Sequence, residues 1–248
     1  MEHQAKKRYG QNFLRDKNLL KKIVHKSDII DKDVIEVGPG QGALTSFLAA
    51  DAKHITCFEI DKSLKQVLDP IEKKFSNLDI IYEDFMIADL SNLGGSLHVV
   101  ANVPYYITTP IIFKLIETPQ IKSASLMIQK EVCDRLIAKP GSKAYNNLSV
   151  VINYHAHVHK MMDVKRHMFY PRPNVDSAVV RIVKREKPLL KPKIEKVFLS
   201  IVRTAFKQKR KTLVNNWHDA YDIKKKDIIN FLETHEINPQ IRAEKITI

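Results

Sequence analysis

Asn102-Val103-Pro104-Tyr105-Tyr106 follows His98-Val99-Val100-Ala101, a run that reads as the tail of a buried strand. The segment offers three groups together: a side-chain amide, a carbonyl followed by proline and so without a neighbouring N–H, and an aromatic ring. A turn alone needs none of these in combination. An amide oxygen and a carbonyl can accept both hydrogens of one amino group, and a ring can stack on the flat system that carries it.

A second set of chemistry-bearing residues lies upstream. Gly38, Gly40 and Gly42 fall between a short strand and a helix, where glycine permits a tight turn and a close approach of backbone to a ligand. Their spacing is G-x-G-x-G, which differs from the G-x-G-x-x-G of dinucleotide sites and disfavours a dehydrogenase. Glu59 ends the next strand, 21 residues after Gly38, where a carboxylate can accept both hydroxyls of a ribose. Asp84 ends the strand after that, placed to accept from an adenine amino group. Singly, each acid reads equally well as a loop carboxylate or helix cap. Together they outline a crevice for a nucleoside. No phosphate-cradling G-x-x-x-x-G-K-[ST] motif occurs, so a nucleoside cofactor with little or no phosphate fits, and S-adenosylmethionine is the common one.

Asn102 then falls beside that cofactor. The exocyclic amine of adenine is a poor nucleophile because its lone pair is delocalised into the ring. Accepting its two hydrogens, by the Asn102 amide oxygen and the Val103 or Pro104 carbonyl, favours a pyramidal nitrogen with a localised pair. Tyr105 can stack on an extruded base, and Pro104 stiffens the loop. The competing reading is a strand-terminating turn with packed tyrosines.

The elements that must hold these residues read as an α/β pattern. Segments 34–37, 55–59, 78–85 and 97–103 are short, β-branched and apolar, as strands buried on both faces should be. Helical stretches at 42–52 and 62–75 separate them, the signature of a parallel sheet covered by helices. Segments 123–132, 148–158 and 177–185 are expected to extend the sheet, with antiparallel strands at its far edge. A proline-punctuated basic linker, 185–193, divides a Rossmann-like domain over 1–184 from a small helical domain over 190–248. In the latter, Ile194, Val197, Phe198, Ile201, Ala205 and Phe206 recur at roughly helical spacing.

Net charge is +13 over 248 residues, and such a basic chain points to a polyanion, nucleic acid before an anionic membrane. The segment 185–248 holds 15 Lys/Arg against 8 Asp/Glu, more than half of that excess. Arg203, Lys207, Arg210 and Lys211 are spaced to share one broad helical face and neutralise phosphates. Lys6, Lys7 and Arg8 form a second cluster. For both, the alternative is a solvated charge face. Cys57 and Cys133 have no metal or disulfide spacing and read as small buried hydrophobes of a reducing compartment. His155, His157 and His159 fall on one side of an expected strand, but lack a supporting acid or cysteine, so no metal is expected. No apolar run approaches a membrane span, and no signal peptide is visible. A cytoplasmic monomer without membrane or metal follows as the expectation.

"NVPYY" at 102–106 resembles the N-[LIV]-P-Y signature of adenine N6-methyltransferases. The chain as a whole resembles the KsgA/Erm family of ribosomal RNA adenine dimethyltransferases. The resemblance rests on 7–16, 36–45, 59–61, 102–110, 129–150, 169–180 and 205–216, almost end to end. It implies a Rossmann-like, S-adenosylmethionine-dependent methyltransferase domain followed by a small helical domain. It further implies that Asn12 and Leu14 close over the cofactor and that Gly38 and Gly40 approach its methionine part. Glu59 would hold the ribose, Asp84 the adenine, and Ile60 would pack on the adenine face. Asn102 would contact both cofactor and target amine, and Phe169 would sandwich the base opposite Tyr105. Pro110, "KPGSKAY" (139–145) and "VDSAVV" (175–180) resemble the small-subunit, KsgA-type branch. That branch dimethylates two adjacent adenosines near the 3′ end of 16S rRNA in the small ribosomal subunit. Lys165-Arg166 stand where the family usually has Pro-Pro, and Asn146 where it usually has Gly. The alternatives are the large-subunit (23S) dimethyltransferase of the macrolide-resistance type, and a non-catalytic nucleic-acid-binding factor on the same fold.

Overall fold

The computed structural model describes residue 6 and residues 10–247. Lys7 and Arg8 of the expected basic cluster lie outside the described residues.

By contacts the chain forms two compact units, one through Cys133 together with Val158–Lys184, the other Asp134–His157 together with the chain from Arg185 on. The segment 134–157, expected in the first domain, therefore packs with the C-terminal residues, and the second unit is built from two stretches of chain.

The first unit carries a parallel sheet. Its strands are β2 (Asp33–Val37), β3 (His54–Phe58), β4 (Leu78–Ile81), β5 (Leu97–Asn102) and β6 (Ile121–Gln129). β9 (Ser177–Lys184) runs antiparallel to β6, and β7 (Ala156–Val164) lies beyond it, in the order β4-β3-β2-β5-β6-β9-β7. The chain moves outward from β2 through β3 to β4, then returns to place β5 on the other side of β2. Such a reversal of strand order leaves a crevice at the carboxyl ends of β2 and β5. The central strands are apolar on both faces because helices cover both: Val34, Ile35, Ile55, Val99, Val100, Leu126 and Ile128 are all buried.

Helix α1 (Lys17–Lys26) begins at Asp16, whose side chain accepts from the Leu19 N–H at 2.9 Å. It buries Leu20, Ile23 and Val24, one apolar face at helical spacing. α2 (Thr45–Asp51) and α3 (Lys65–Glu72) link the first strands, and α4 (Thr108–Glu117) links β5 to β6. A separate two-stranded ribbon pairs β1 (Phe13–Leu14) with β8 (Phe169–Tyr170), antiparallel.

Two expectations change. Residues 148–155 are helical, not a strand: α6 runs Asn147–His155. Asn146 caps it, accepting from the Leu148 and Ser149 N–H groups, while the Ser149 hydroxyl accepts from the Asn146 N–H. That reciprocal cap outweighs the β-branched composition. His155 therefore ends a helix, whereas His157 and His159 lie on β7, so the three do not share one strand face.

The basic stripe changes too. α7 (Pro192–Ala205) ends before Lys207, so Lys207, Arg210 and Lys211 occupy a turn and not a helical face with Arg203. The Asn216 amide donates to the Ala205 and Gln208 carbonyls, at 3.0 and 3.2 Å, taking up acceptors a longer helix would need. α8 (Leu213–Tyr221) and α9 (Lys225–Thr234) complete this unit around Leu213, Val214, Ile228 and Leu232. Among the described residues, no helix is long and apolar enough to cross a membrane, and no group of His, Cys, Asp and Glu is arranged to hold a metal ion.

Candidate active site

A cavity of about 980 Å³ opens at the carboxyl ends of β2 to β5. Its walls include Asn12, Leu14, Gly38, Gly40, Glu59, Ile60, Asp84, Asn102, Pro104 and Tyr105, gathered from five stretches of chain.

The strand ends place the first of these. The Gly38 N–H donates to the Phe58 carbonyl and the Glu59 N–H to the Ile81 carbonyl, both at 2.9 Å, extending the ladder one residue past each strand. Gly38 and Gly40 take φ of 71° and 58°, conformations that side chains rarely adopt. A Cβ at Gly40 would lie 2.9 Å from the Phe13 ring, whereas one at Gly38 would meet nothing within 4 Å. The glycine loop thus has Phe13 packed against one part and open space beside another.

Glu59 is buried, yet both its oxygens are held: Oε2 accepts from the Gly40 N–H at 3.1 Å and Oε1 from the Asp61 N–H at 2.8 Å. Burial raises its pKa, and these two N–H groups work against that rise. Asp61, also buried, accepts from Lys6 Nζ at 2.8 Å, from the Ser63 hydroxyl at 2.7 Å and from Gln11 Nε2 at 3.2 Å. Burial pushes its carboxyl up, but the Lys6, Ser63 and Gln11 contacts prevail and hold it at about 2. Lys6, expected in a phosphate-binding cluster, is engaged in this ion pair. Beneath the loop, the Glu36 carboxylate accepts from the Thr45 hydroxyl at 2.6 Å, and burial raises it to about 7.

Asp84 differs from expectation in placement. β4 closes at Ile81, and Asp84 opens a turn three residues on, its Oδ1 accepting from the Met86 N–H at 2.8 Å. Its turn is gripped by a residue that sequence reasoning passed over. Lys114 Nζ donates to the carbonyls of Phe85, Met86 and Ala88 at 2.6, 3.1 and 2.8 Å.

At Asn102 the side-chain NH₂ donates to the Asn12 carbonyl at 2.9 Å. This orientation is the one the bond requires, since the flipped amide would set two oxygens together. The Asn102 Oδ1 is thereby left to accept. Of the two carbonyl candidates, that of Pro104 accepts from the Ile107 N–H at 3.2 Å and the Thr108 hydroxyl at 3.3 Å. The Val103 carbonyl accepts no hydrogen bond among the described residues. The Tyr105 hydroxyl lies 2.6 Å from that of Ser177, which fixes the ring, and burial keeps the phenol neutral by raising its pKa.

Phe169 is not brought to this site. It is 5% exposed, packed in the core, and lines neither cavity. Pairing with Leu14 in the ribbon turns it inward and leaves Tyr170 outside, beneath the Arg15 guanidinium at 4.4 Å. A smaller cavity of about 300 Å³ shares Asn12 and Tyr105 with the first and is otherwise lined by Gln129 and residues 172–175. The loop bearing these last residues is pinned by Lys165 and Arg166. Lys165 Nζ and the Arg166 N–H donate to Asp176 at 3.1 and 3.0 Å, and the Arg166 guanidinium donates to the Asn174 carbonyl at 3.0 Å.

The residues fit the expected cofactor on chemical grounds. The volume suits a nucleoside-sized ligand. Glu59 and Asp84 supply acceptors for hydroxyls and an amine.

Comparison with known proteins agrees. Residues 2–248 match the family model described as ribosomal RNA adenine dimethylase. A protein of Onion yellows phytoplasma named ribosomal RNA small subunit methyltransferase A is 47% identical, covering 100% of this chain and 94% of that one. Its namesake from Bacillus mycoides is 44% identical over 98% and 87% of the two chains. Among solved structures, a dimethyladenosine transferase from Plasmodium falciparum superposes with a TM-score of 0.79 at 28% identity, covering 94% and 92%. The 23S rRNA methyltransferase ErmE gives 0.77 at 26%, covering 94% and 96%. With a family match that spans nearly every residue and full-length relatives at 44–47% identity, the chain belongs to the ribosomal RNA adenine dimethylase family.

Proposed function

We propose that this chain dimethylates two adjacent adenosines near the 3′ end of 16S rRNA in the small ribosomal subunit, using S-adenosylmethionine, in the cytoplasm. The observation that carries the reading is the fixed Asn102 amide. Its NH₂ donates to the Asn12 carbonyl, which leaves its oxygen to accept in the wall of the cavity, near a Val103 carbonyl that accepts no hydrogen bond among the described residues. The small-subunit target rests on the names of the relatives.

When bound, S-adenosylmethionine would supply a methyl group from its positively charged sulfur, the C–S bond breaking to leave the neutral thioether S-adenosylhomocysteine. Glu59 holds the ribose hydroxyls through its remaining lone pairs, and Asp84 accepts from the adenine amine. The target adenosine enters on the side of the smaller cavity, where Tyr105 stacks on its base. Asn102 Oδ1 and the Val103 carbonyl accept the two N6 hydrogens and stabilise the positive charge that develops as the N–C bond forms. The alkylated nitrogen is acidic and gives its proton to water, so no strong side-chain base is needed. Arg203, Lys207, Arg210 and Lys211 neutralise RNA phosphates in the second unit.

Incubation with labelled cofactor and either immature 30S subunits or naked 23S RNA tests the assignment. Two methyl groups on each of two adjacent adenosines of the 30S substrate are expected. Labelling of 23S RNA alone overturns the target, and labelling of neither overturns the activity.

A further inference from the structure

Lys114 sits in an otherwise apolar run of α4, Pro110-Ile111-Ile112-Phe113-Lys114-Leu115-Ile116. Its ammonium has three donors, and the Phe85, Met86 and Ala88 carbonyls take all of them. The same nitrogen lies 5.0 Å from the centroid of the Phe85 ring, itself buried edge-on against Phe58. At the other end of this turn stands Asp84. Its Oδ1 accepts from the Met86 N–H at 2.8 Å, and its carbonyl accepts from the Ile87 and Ala88 N–H groups, both at 3.1 Å. The N–H groups of 86–88 thus converge on Asp84 while three carbonyls of the turn converge on Lys114, so each charge meets the complementary end of the local dipoles.

We propose that Lys114 is a positioning residue for cofactor recognition: it fixes the 84–88 turn so that the free oxygen of Asp84 is aimed at the adenine amine. The proposal rests on the reading of Asp84 as the adenine acceptor. Burial lowers the Lys114 pKa, and the carboxylates of Asp84, Glu83 and Asp89 oppose that fall. α4 starts at Thr108, whose hydroxyl donates to the Pro104 carbonyl, so one helix grips both the adenine turn and the loop that presents Asn102. Without Lys114 the turn keeps its Asp84 bonds but loses the contact that sets its angle to the sheet.

The test is selectivity, which a purely structural role leaves unchanged. Calorimetry compares S-adenosylhomocysteine with its hypoxanthine counterpart, in which a carbonyl replaces the amine that Asp84 would accept from. The wild-type protein should prefer the adenine form at least about tenfold. Lys114→Met should lose most of that preference through weaker adenine binding, with the hypoxanthine form bound within about twofold of wild type. A preference unchanged from wild type, or a parallel loss of both affinities, overturns the role of Lys114 alone. A wild-type protein that does not discriminate overturns the Asp84 reading, and the proposal with it. If Lys114→Met lacks a cooperative melting transition, Lys114→Gln is measured in its place, with the same outcomes deciding.

Discussion

Asn102 concentrates the chemistry on one oxygen. Asn102→Ala removes the acceptor for the target amine as charge develops, so single-turnover methylation should fall by about 10²-fold or more. RNA affinity, carried by distant phosphate contacts, should barely change in titrations alongside, and methylation at the wild-type rate would sink the mechanism. Glu59 answers to a different measurement. Its two oxygens are organised by the Gly40 and Asp61 N–H groups before any ligand arrives. Glu59→Ala should weaken S-adenosylmethionine binding by about 1.5–3 kcal/mol, the range of charge-assisted bonds. Unchanged affinity by calorimetry would remove Glu59 from the site. That Gly38, Glu59 and Asn102 line one cavity was legible in the sequence because they sit at or directly after strand ends. Phe169 was not, because its direction depends on the β1–β8 ribbon, and two-residue strands leave no periodic signal. Lys114 was available in principle as a lone cation within an apolar helix, a placement that requires buried acceptors.

Among the elements, α6 shows where pattern reading fails. Leu148, Val150, Val151 and Ile152 suggest a strand by composition, and all but the first are buried. What decides the matter is the cap at Asn146, two side-chain-to-backbone exchanges that composition does not register. Asn146→Ala should therefore cost about 0.5–2 kcal/mol, read as a lowered midpoint in thermal or urea melting. Stability equal to wild type would mean that burial alone holds this helix. The central parallel strands were legible for the opposite reason: covered on both faces, they are largely apolar, and Gly38 and Glu59 directly follow β2 and β3. The turn at 206–211 was not, because the Asn216 amide that ends α7 comes from a later helix.

For the whole molecule, charge and proton linkage are the measurable properties. Lys211 is paired with Asp219 at 2.7 Å, whereas no ion pair involves Lys207 or Arg210 among the described residues. Replacing Lys207 and Arg210 together by alanine should flatten the salt dependence of RNA binding by a slope of roughly 1–2. An unchanged slope with a folded variant would place the RNA elsewhere. Stability has its own pH dependence. Burial raises Glu36 from 4.5 to about 7, so its protonated form favours the folded state fully at low pH, and that contribution is lost as pH rises toward 7. A shift of this size corresponds to about 3 kcal/mol. His98 acts in the opposite sense: burial lowers it from 6.5 to about 4, giving stability present above 6.5 and lost as pH falls through 4. The two oppose each other between about pH 5 and 6.5, so Glu36→Gln should make stability rise more steeply with pH there than in wild type, in denaturant melts. A pH profile equal to that of wild type would assign the dependence to other groups.

The β1–β8 ribbon bears on the order in which this protein matures. Phe13 pairs with Tyr170 across 157 residues of sequence, and β1 is the strand next to the Asn12 carbonyl that orients Asn102. A chain emerging from the ribosome can pair β2 through β6 from neighbouring segments. It cannot form the ribbon until Tyr170 has been made, and contacts between distant segments form slowly. The nascent sheet therefore acquires its glycine loop and acidic acceptors well before the wall that aims the reactive amide. Cofactor binding should appear on shorter nascent chains than methyl transfer does.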